Sequence, residues 1–501
     1  MTTPPVPPSG APRPKFRDSA VVVLVRGRGD ALEAFWVQRS EAVPVQPGFH
    51  AFVGGKVDAA DTLLPLDGVD DEFERAARAC AIREALEETG VLVALEGAAD
   101  AATLATAREQ LLAGTVTLPE LAERHGWRFD ASQLTFAGRW QTPAFAPVRF
   151  DTLFFLARVP EGQEASIVPG ELEHGEWIRP ADAIARWERG EVTFAAPILW
   201  TMRDLAVGEE NLASRLADAP RRASTPARLV ELQHGIVLHA MKTRPLPPAQ
   251  HTNAYFIGER DCLLVDPGSG EPEALEELFG VADLLATQGR RVKLILVTHH
   301  HPDHTGGVAA CRERFGAPVV GHIALSPHLK LDRVVGDGDS IELPSGHTKW
   351  SLKVLSTPGH TRDHIALWLE SRRVLFCGDL VPGGPGSVII DPPDGDMGDY
   401  LATLDRMAAL EPATIFPAHG SPQGAAVRRI KALAKHRRER EVRVLAALGD
   451  SERTLAELLP LAYDDTKPEL WPLAERSLLA HLMLLEKGGR AVRLGERWRR
   501  G

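Results

Sequence analysis

THHHPDHTGG, residues 298–307, follows directly on the apolar run VKLILV. Four histidines and an aspartate crowded at the end of a buried strand narrow what this chain can fold into more than any other feature. One polar residue at a strand end costs little, but burying several imidazoles and a carboxylate without partners costs several kcal/mol. The fold must therefore bring other strand ends towards 299–304, and a ligand must satisfy what gathers there. Imidazole with carboxylate and no thiolate suits zinc, with iron or manganese as alternatives. On a loop leaving the strand, His299 and His301 converge on one cation, and Asp303 and His304 turn towards a neighbouring one. Each ion needs three or more ligands, and three later strand ends offer them: His360 in TPGHTRDH, Asp379 in CGDL and His419 in FPAHG. Each sits beside a small residue that lets the backbone approach a ligand closely. A lone histidine would read as an ordinary core or surface residue; an ordered series of this kind does not.

The 501 residues exceed what one core supports and imply two to four domains. A net charge of −11 argues against a polybasic nucleic-acid coat or a membrane-surface protein. Cys80, Cys262, Cys311 and Cys377 are scattered with no CxxC pair, against a disulfide scaffold or a thiolate zinc site. No apolar run is long enough to span a bilayer, so no membrane partner is expected. MTTPPVPPSGAPRPK, residues 1–15, reads as a Pro-rich disordered lead-in without an h-region, which makes a cytoplasmic setting the expectation.

The expected fold class is multidomain α/β. Residues 16–208 form a first domain: SAVVVLVRG and AFWVQRS pair as strands, DEFERAARACAIREALEETG is a helix closed by Gly90, RFDTLFFLARVP is a strand and RPADAIARWERG a late helix. Residues 209–228 are polar, Ala/Pro/Arg-rich and aperiodic, and read as a linker. Residues 229–425 form a second domain of apolar strands leading into the histidine cluster. Residues 426–501 hold a basic helix, two further helices and a Gly-Gly turn between short strands, which is winged-helix-like.

The second-domain series resembles the metallo-β-lactamase superfamily over residues 229–425. The resemblance implies an αββα sandwich with metals at one edge. It implies that His299, His301 and His360 hold one cation, that Asp303, His304 and His419 hold a second, that Asp379 bridges them and that Asp266 in LLVDPG supports them. Asp303 would be catalytic. Such a pair of ions activates a water and stabilises the developing oxyanion. The short span from Asp379 to His419 leaves no room for a large nuclease insert. The sandwich followed by AKHRRERE and a winged-helix-like tail is similar to the LACTB-two-like subgroup, which contains a mitochondrial endoribonuclease; glyoxalase II and thioesterases are more distant relatives. The basic stretch 428–443 would guide RNA phosphates, or is a solvated helix face with Glu439 and Glu441 interleaved.

In the first domain, IREALEETGV places Glu84, Glu87 and Glu88 on one helical face, where like charges repel unless a hard cation such as Mg²⁺ or Mn²⁺ joins them. Arg83 stands ready to pin one carboxylate. Gly54 and Gly55 in GGK, followed by REALEETGV, resemble the Nudix box, which implies an α/β/α sandwich that cleaves nucleoside diphosphates linked to another group. Glu84, Glu87 and Glu88 would then hold the metal, with Glu87 catalytic. Counted back from the helix, the early glutamate of the box falls on Arg75, with Glu74 one position off. The coenzyme A diphosphatase type is similar, with Arg39, Ser40, Gly48, Phe52, Gly54 and Gly55 in register. Pro44 replaces an arginine there and Val53 a proline, which removes a bidentate phosphate contact. Glu171 or Glu173 would complete the site.

Together these readings give a two-site metal-dependent hydrolase. A Nudix pyrophosphohydrolase is joined to a dinuclear hydrolase acting on a thioester, ester or phosphodiester, with an acyl-coenzyme A or a nucleotide as the small-molecule substrate. The alternatives are an RNA-processing endoribonuclease with a nucleotide-sensing or 5′-trimming Nudix domain, its RNA held by the tail, and a regulator whose Nudix domain senses a ligand.

Overall fold

The computed structural model describes residues 16–143, 146, 148–224, 229–247, 249–344, 350–384 and 386–501. The expected lead-in lies outside them. The chain divides into two compact units, one comprising Met1–Ser40, His50–Ala185 and Phe194–Ser224, the other Glu41–Phe49, Arg186–Thr193 and Thr225–Gly501.

The first unit is built on a mixed sheet whose central strand, Arg17–Arg26, pairs in parallel with Phe150–Arg158 and antiparallel with Glu33–Arg39 and Val53–Lys56. Alternate apolar side chains of the central strand, Ala20, Val22 and Leu24, are fully buried with Ala77, Ala81, Ile82 and Ala85 of the helix Glu72–Thr89. Small alanines on that helix let it lie close to the sheet. Asp71 caps its start by accepting from the Glu74 N–H, and Gly90 ends it in the left-handed region.

The stretch 209–224, expected to be linker, folds instead. Leu212–Ala223 is a helix that buries Leu216 and Ala219. At Gly138 a methyl group would come within 3.0 Å of the Leu216 carbonyl, so this helix lies directly on the strand Thr135–Gln141. Arg215 and Arg222 both reach Asp204. Those tertiary partners, and no local periodicity, hold the helix.

The second unit is a sandwich of a seven-stranded and a five-stranded sheet. Helices Pro272–Thr287 and Val308–Phe315 cover the first sheet, and Met397–Ala409 with Ala426–Ala447 covers the second. The basic helix Ala426–Ala447 then runs on into a small core of Val444, Leu458, Leu478, Leu482 and Trp498. There the helices Leu455–Ala462 and Trp471–Lys487 meet a three-stranded sheet. Gly488 and Gly489 lie between helix and first wing strand; the turn joining Ala491–Leu494 to Arg497–Arg500 is Gly495–Glu496. All four cysteines are free and buried. No described helix is long and apolar enough to cross a membrane.

Candidate active sites

The strand Arg291–Leu296, buried at its C-terminal end, delivers the cluster. Thr298 and the backbone after it turn sharply around Asp266, whose own backbone sits at φ 50°. The Asp266 carboxylate accepts the Thr298 N–H (2.8 Å), the Thr298 hydroxyl (2.7 Å) and the His304 Nδ1–H (2.9 Å). It is 1% exposed, so these three bonds settle an otherwise unpaired buried charge. His304 is thereby fixed with Nε2 pointing inward, buried and without a hydrogen-bond partner.

Two more imidazoles of the cluster are oriented in the same way. His360 donates from Nδ1 to the Ile389 carbonyl (2.8 Å), and His419 from Nδ1 to the His251 carbonyl (2.8 Å). The remaining nitrogens converge: His299 Nε2 lies 3.0 Å and His360 Nε2 3.1 Å from His301 Nδ1. One ligand atom from each of His299, His301, His360 and Asp379 lies within 4.8 Å of the others, and so do those of Asp303, His304 and His419. Asp379 faces both groups, with Oδ2 3.5 Å from His360 Nε2 and Oδ1 3.2 Å from His419 Nε2.

Burial, reinforced by the neighbouring His360, pushes His301 down to about 4, and burial with its neighbouring imidazoles drives His299 well below its usual range. Both are neutral at pH 7, the form that ligates a cation. Burial alone would raise Asp379, but the His419 and His304 imidazoles outweigh it and hold the carboxyl well below its ordinary value. Convergent neutral nitrogens, a two-faced carboxylate and an idle buried His304 Nε2 are a donor set that fits divalent cations.

Two supporting residues escaped the sequence reading. Thr298 anchors Asp266, and His364 accepts the Asp379 N–H at Nε2 (3.0 Å) while its Nδ1 meets the Thr357 hydroxyl. At Gly378 a methyl group would come within 2.5 Å of His364 Nε2. The TPGHTRDH segment carried that signal in its second histidine.

In the first unit the three glutamates do share one helical face. Glu84 lies beneath the GGK strand so closely that a methyl group on Gly55 would meet its Oε1 at 2.1 Å. Glu88 accepts the Gly54 N–H at 3.0 Å. Burial raises Glu84 to about 7, with the Glu87 charge adding and Arg83 opposing; burial and then the Glu84 charge raise Glu88 to about 8. Arg83 bonds Glu84 (2.9 Å) and Glu87 (2.8 Å) through one nitrogen and grips Asp61 with two others (2.8 and 3.0 Å).

Asp61 corrects the expected position of the early acid. Glu74 is occupied by Arg78, and Arg75 donates to the Val69 carbonyl. Asp61, 1% exposed, is the partner of Arg83. Counted forward from Gly55 it falls six positions on, so the box keeps its first interval and its insertion lies between the acid and the helix. Counting backward from the helix hid it. Glu171 and Glu173 are both exposed. The Glu171 charge acts on Glu88, whereas Glu173 accepts from the Ser40 hydroxyl at 3.4 Å.

Comparison with known proteins assigns families to three stretches of the chain. The Metallo-beta-lactamase superfamily profile matches residues 247–419, the Beta-lactamase associated winged helix domain matches 454–498, and the NUDT19 Nudix domain matches 67–205. The last begins beyond Gly54, Gly55 and Asp61. Beta-lactamase-like protein 2 homolog of Caenorhabditis elegans is 30% identical over 209 residues, 40% of this chain and 67% of that protein. Lactamase-like protein aptB of Emericella nidulans is 30% identical over 45% of this chain and 76% of its own length. Hydroxyacylglutathione hydrolase of Albidiferax ferrireducens is 38% identical over 181 residues, 35% of this chain and 64%, less than two thirds, of that enzyme.

Proposed function

Because this chain belongs to the metallo-β-lactamase superfamily and carries Nudix and winged-helix parts besides, we propose that it is a metal-dependent hydrolase with two sites that act on an acyl-coenzyme A. The central site would cleave the thioester and the Nudix site the pyrophosphate of the carrier. In the central site His299, His301 and His360 would hold one divalent cation and Asp303, His304 and His419 another, with Asp379 shared; zinc suits this donor set best, with iron or manganese as alternatives. Cations there would supply activation of water at neutral pH and polarisation of the substrate carbonyl. Mg²⁺ or Mn²⁺ would sit on Glu84, Glu87 and Glu88.

The single observation that carries the central reading is Asp379, part-buried between two groups of ligating atoms with one oxygen towards each. The chain's own residues supply orientation. Backbone carbonyls hold His360 and His419 by Nδ1, Asp266 holds His304, and His364 holds the Asp379 backbone. A thioester substrate is supported by the likeness to a hydroxyacylglutathione hydrolase. At the Nudix site Arg83, itself held by Asp61, aligns Glu84 and Glu87 and lowers their mutual repulsion.

The test is mass spectrometry of products from acetyl-coenzyme A, with zinc and manganese supplied, for wild type, Asp303→Ala and Glu87→Gln. The expected result is deacylated thiol, as coenzyme A or 4′-phosphopantetheine, absent only with Asp303→Ala, and 3′,5′-ADP absent only with Glu87→Gln. Intact acetyl-coenzyme A from metal-loaded wild type overturns the substrate assignment and moves RNA cleavage to the front.

A further inference from the structure

Between Asp379 and the helix Met397–Ala409 the chain runs through 380–396 with no described helix or strand and only an isolated bridge from Gly383 to Gly420. This strap touches both groups of ligands. At one end the Gly383 N–H donates to the His419 carbonyl (2.8 Å) and the Gly383 carbonyl accepts the Ser421 N–H (3.0 Å). Further on, the Ile389 carbonyl accepts from His360 Nδ1. The Pro393 carbonyl then accepts from Arg362 (2.7 Å), and the Asp396 N–H donates to the Gly359 carbonyl (2.9 Å), on either side of His360.

A strap without ladder hydrogen bonds keeps its place only if something holds its other side. Four basic residues of the C-terminal helices do so. From Ala426–Ala447, Arg429 donates to the Gly384 and Gly386 carbonyls and Arg437 to the Val388 carbonyl. From Trp471–Lys487, Arg476 meets Asp391 at 3.1 Å and Lys487 meets Asp396. The last two pairs are half exposed and individually weak. Arg437 is different. It is 2% exposed, lies over the Tyr400 ring, and donates to the residue just before Ile389. Arg429 and Arg437 are eight positions apart and so share a helical face. Arg440 turns elsewhere, to the Ala462 carbonyl and Asp465 of the winged-helix part.

We propose that Arg437, with Arg429, is a positioning residue for the dinuclear site: the helix leading into the winged-helix part fixes the strap, and the strap fixes His360. Its basic side chains on this face are spent on peptide carbonyls. The inference rests on the metal-site reading above. Hydrogen-bonding groups behind a ligating histidine typically change metal affinity by about 10–100-fold.

The test measures zinc stoichiometry and affinity by chelator competition on the full-length protein, together with Tm of the zinc-free form. Arg437→Met is expected to weaken one of the two zinc sites at least tenfold, and Arg437→Lys to restore part of that loss. Arg429→Met, at a more accessible position, should shift affinity in the same direction by less. Arg440→Met is the control: an equally buried arginine of the same helix, it should lower Tm and leave zinc affinity unchanged. Wild-type affinity in folded Arg437→Met and Arg429→Met, or an equal loss in Arg440→Met, overturns the proposal. Wild type that binds no zinc overturns the metal-site reading instead.

Discussion

The two candidate sites solve the same problem, holding positive charge in a partly buried place, by opposite routes. The first-unit site takes its carboxylates from one helix, at positions 84, 87 and 88, and needs only the helical repeat to bring them together. The second-unit site draws its ligands from the ends of at least four strands, and needs the whole sandwich. The helical site is therefore carboxylate-rich and self-repelling, with Glu84 and Glu88 raised to about 7 and 8 and Arg83 serving as an internal counter-charge. The strand-end site is imidazole-rich, with neighbouring carboxylates raising His304 and His419, and hydrogen bonds behind His304, His360 and His419 give it order. A local device depends on one strong pair, Arg83 with Asp61; a distributed one depends on many weak ones.

That contrast can be broken most directly at Asp379. Asp379→Asn should remove the carboxylate common to both groups and cost several kcal/mol of transition-state stabilisation, on the order of 10³-fold in kcat for the thioester reaction. The pyrophosphate reaction should be untouched, and steady-state kinetics on both products checks this. Equal loss at both sites would show that the two are not independent.

Glu87→Gln should act the other way, lowering pyrophosphate cleavage by about 10²–10⁴-fold if the carboxylate handles a proton. Thioester cleavage should be preserved, as read from 3′,5′-ADP and free coenzyme A together.

Asp61→Ala tests whether the local device hangs on one pair. Removing one partner of a buried ion pair typically costs about 3–5 kcal/mol, so denaturant unfolding should show the first unit selectively weakened. Asp61→Glu, retaining the charge, should recover most of it. A null effect would put Arg83 under the control of Glu84 and Glu87 alone.

The smallest effect is expected at Gly55→Ala. The added methyl group meets Glu84 at 2.1 Å and forces that side chain aside, an overpacking cost of about 1–3 kcal/mol. Mg²⁺ affinity of the first unit, followed by calorimetry, should fall while zinc affinity stays constant.

Much of this was legible in the sequence because the signals were local. The spacing HxHxDH, the strand-end residues His360, Asp379 and His419, and the carboxylates of REALEE each lie within a few residues of a recognisable strand or helix, and the structure brings them together as their spacing implies. Short-range periodicity and capping also gave the helix Glu72–Thr89, because Asp71 and Gly90 satisfy its ends whatever lies beyond. What the sequence did not show was set by distance along the chain. Asp61 reaches Arg83 across an insertion, and only the folded contact tells which acid is the partner. The helix Leu212–Ala223 is held by Asp204 and the strand Thr135–Gln141, so its Ala/Arg-rich sequence looked like linker. The basic helix Ala426–Ala447 read equally as an RNA-guiding face or a solvated one, and the sequence did not show that Arg429, Arg437 and Arg440 spend their charge on carbonyls and an aspartate. The candidate ligating groups were thus legible in the sequence alone, since their chemistry belongs to residue type and spacing. Which groups hold them in place was decided by tertiary structure, because a buried donor takes whatever acceptor the packing brings within reach.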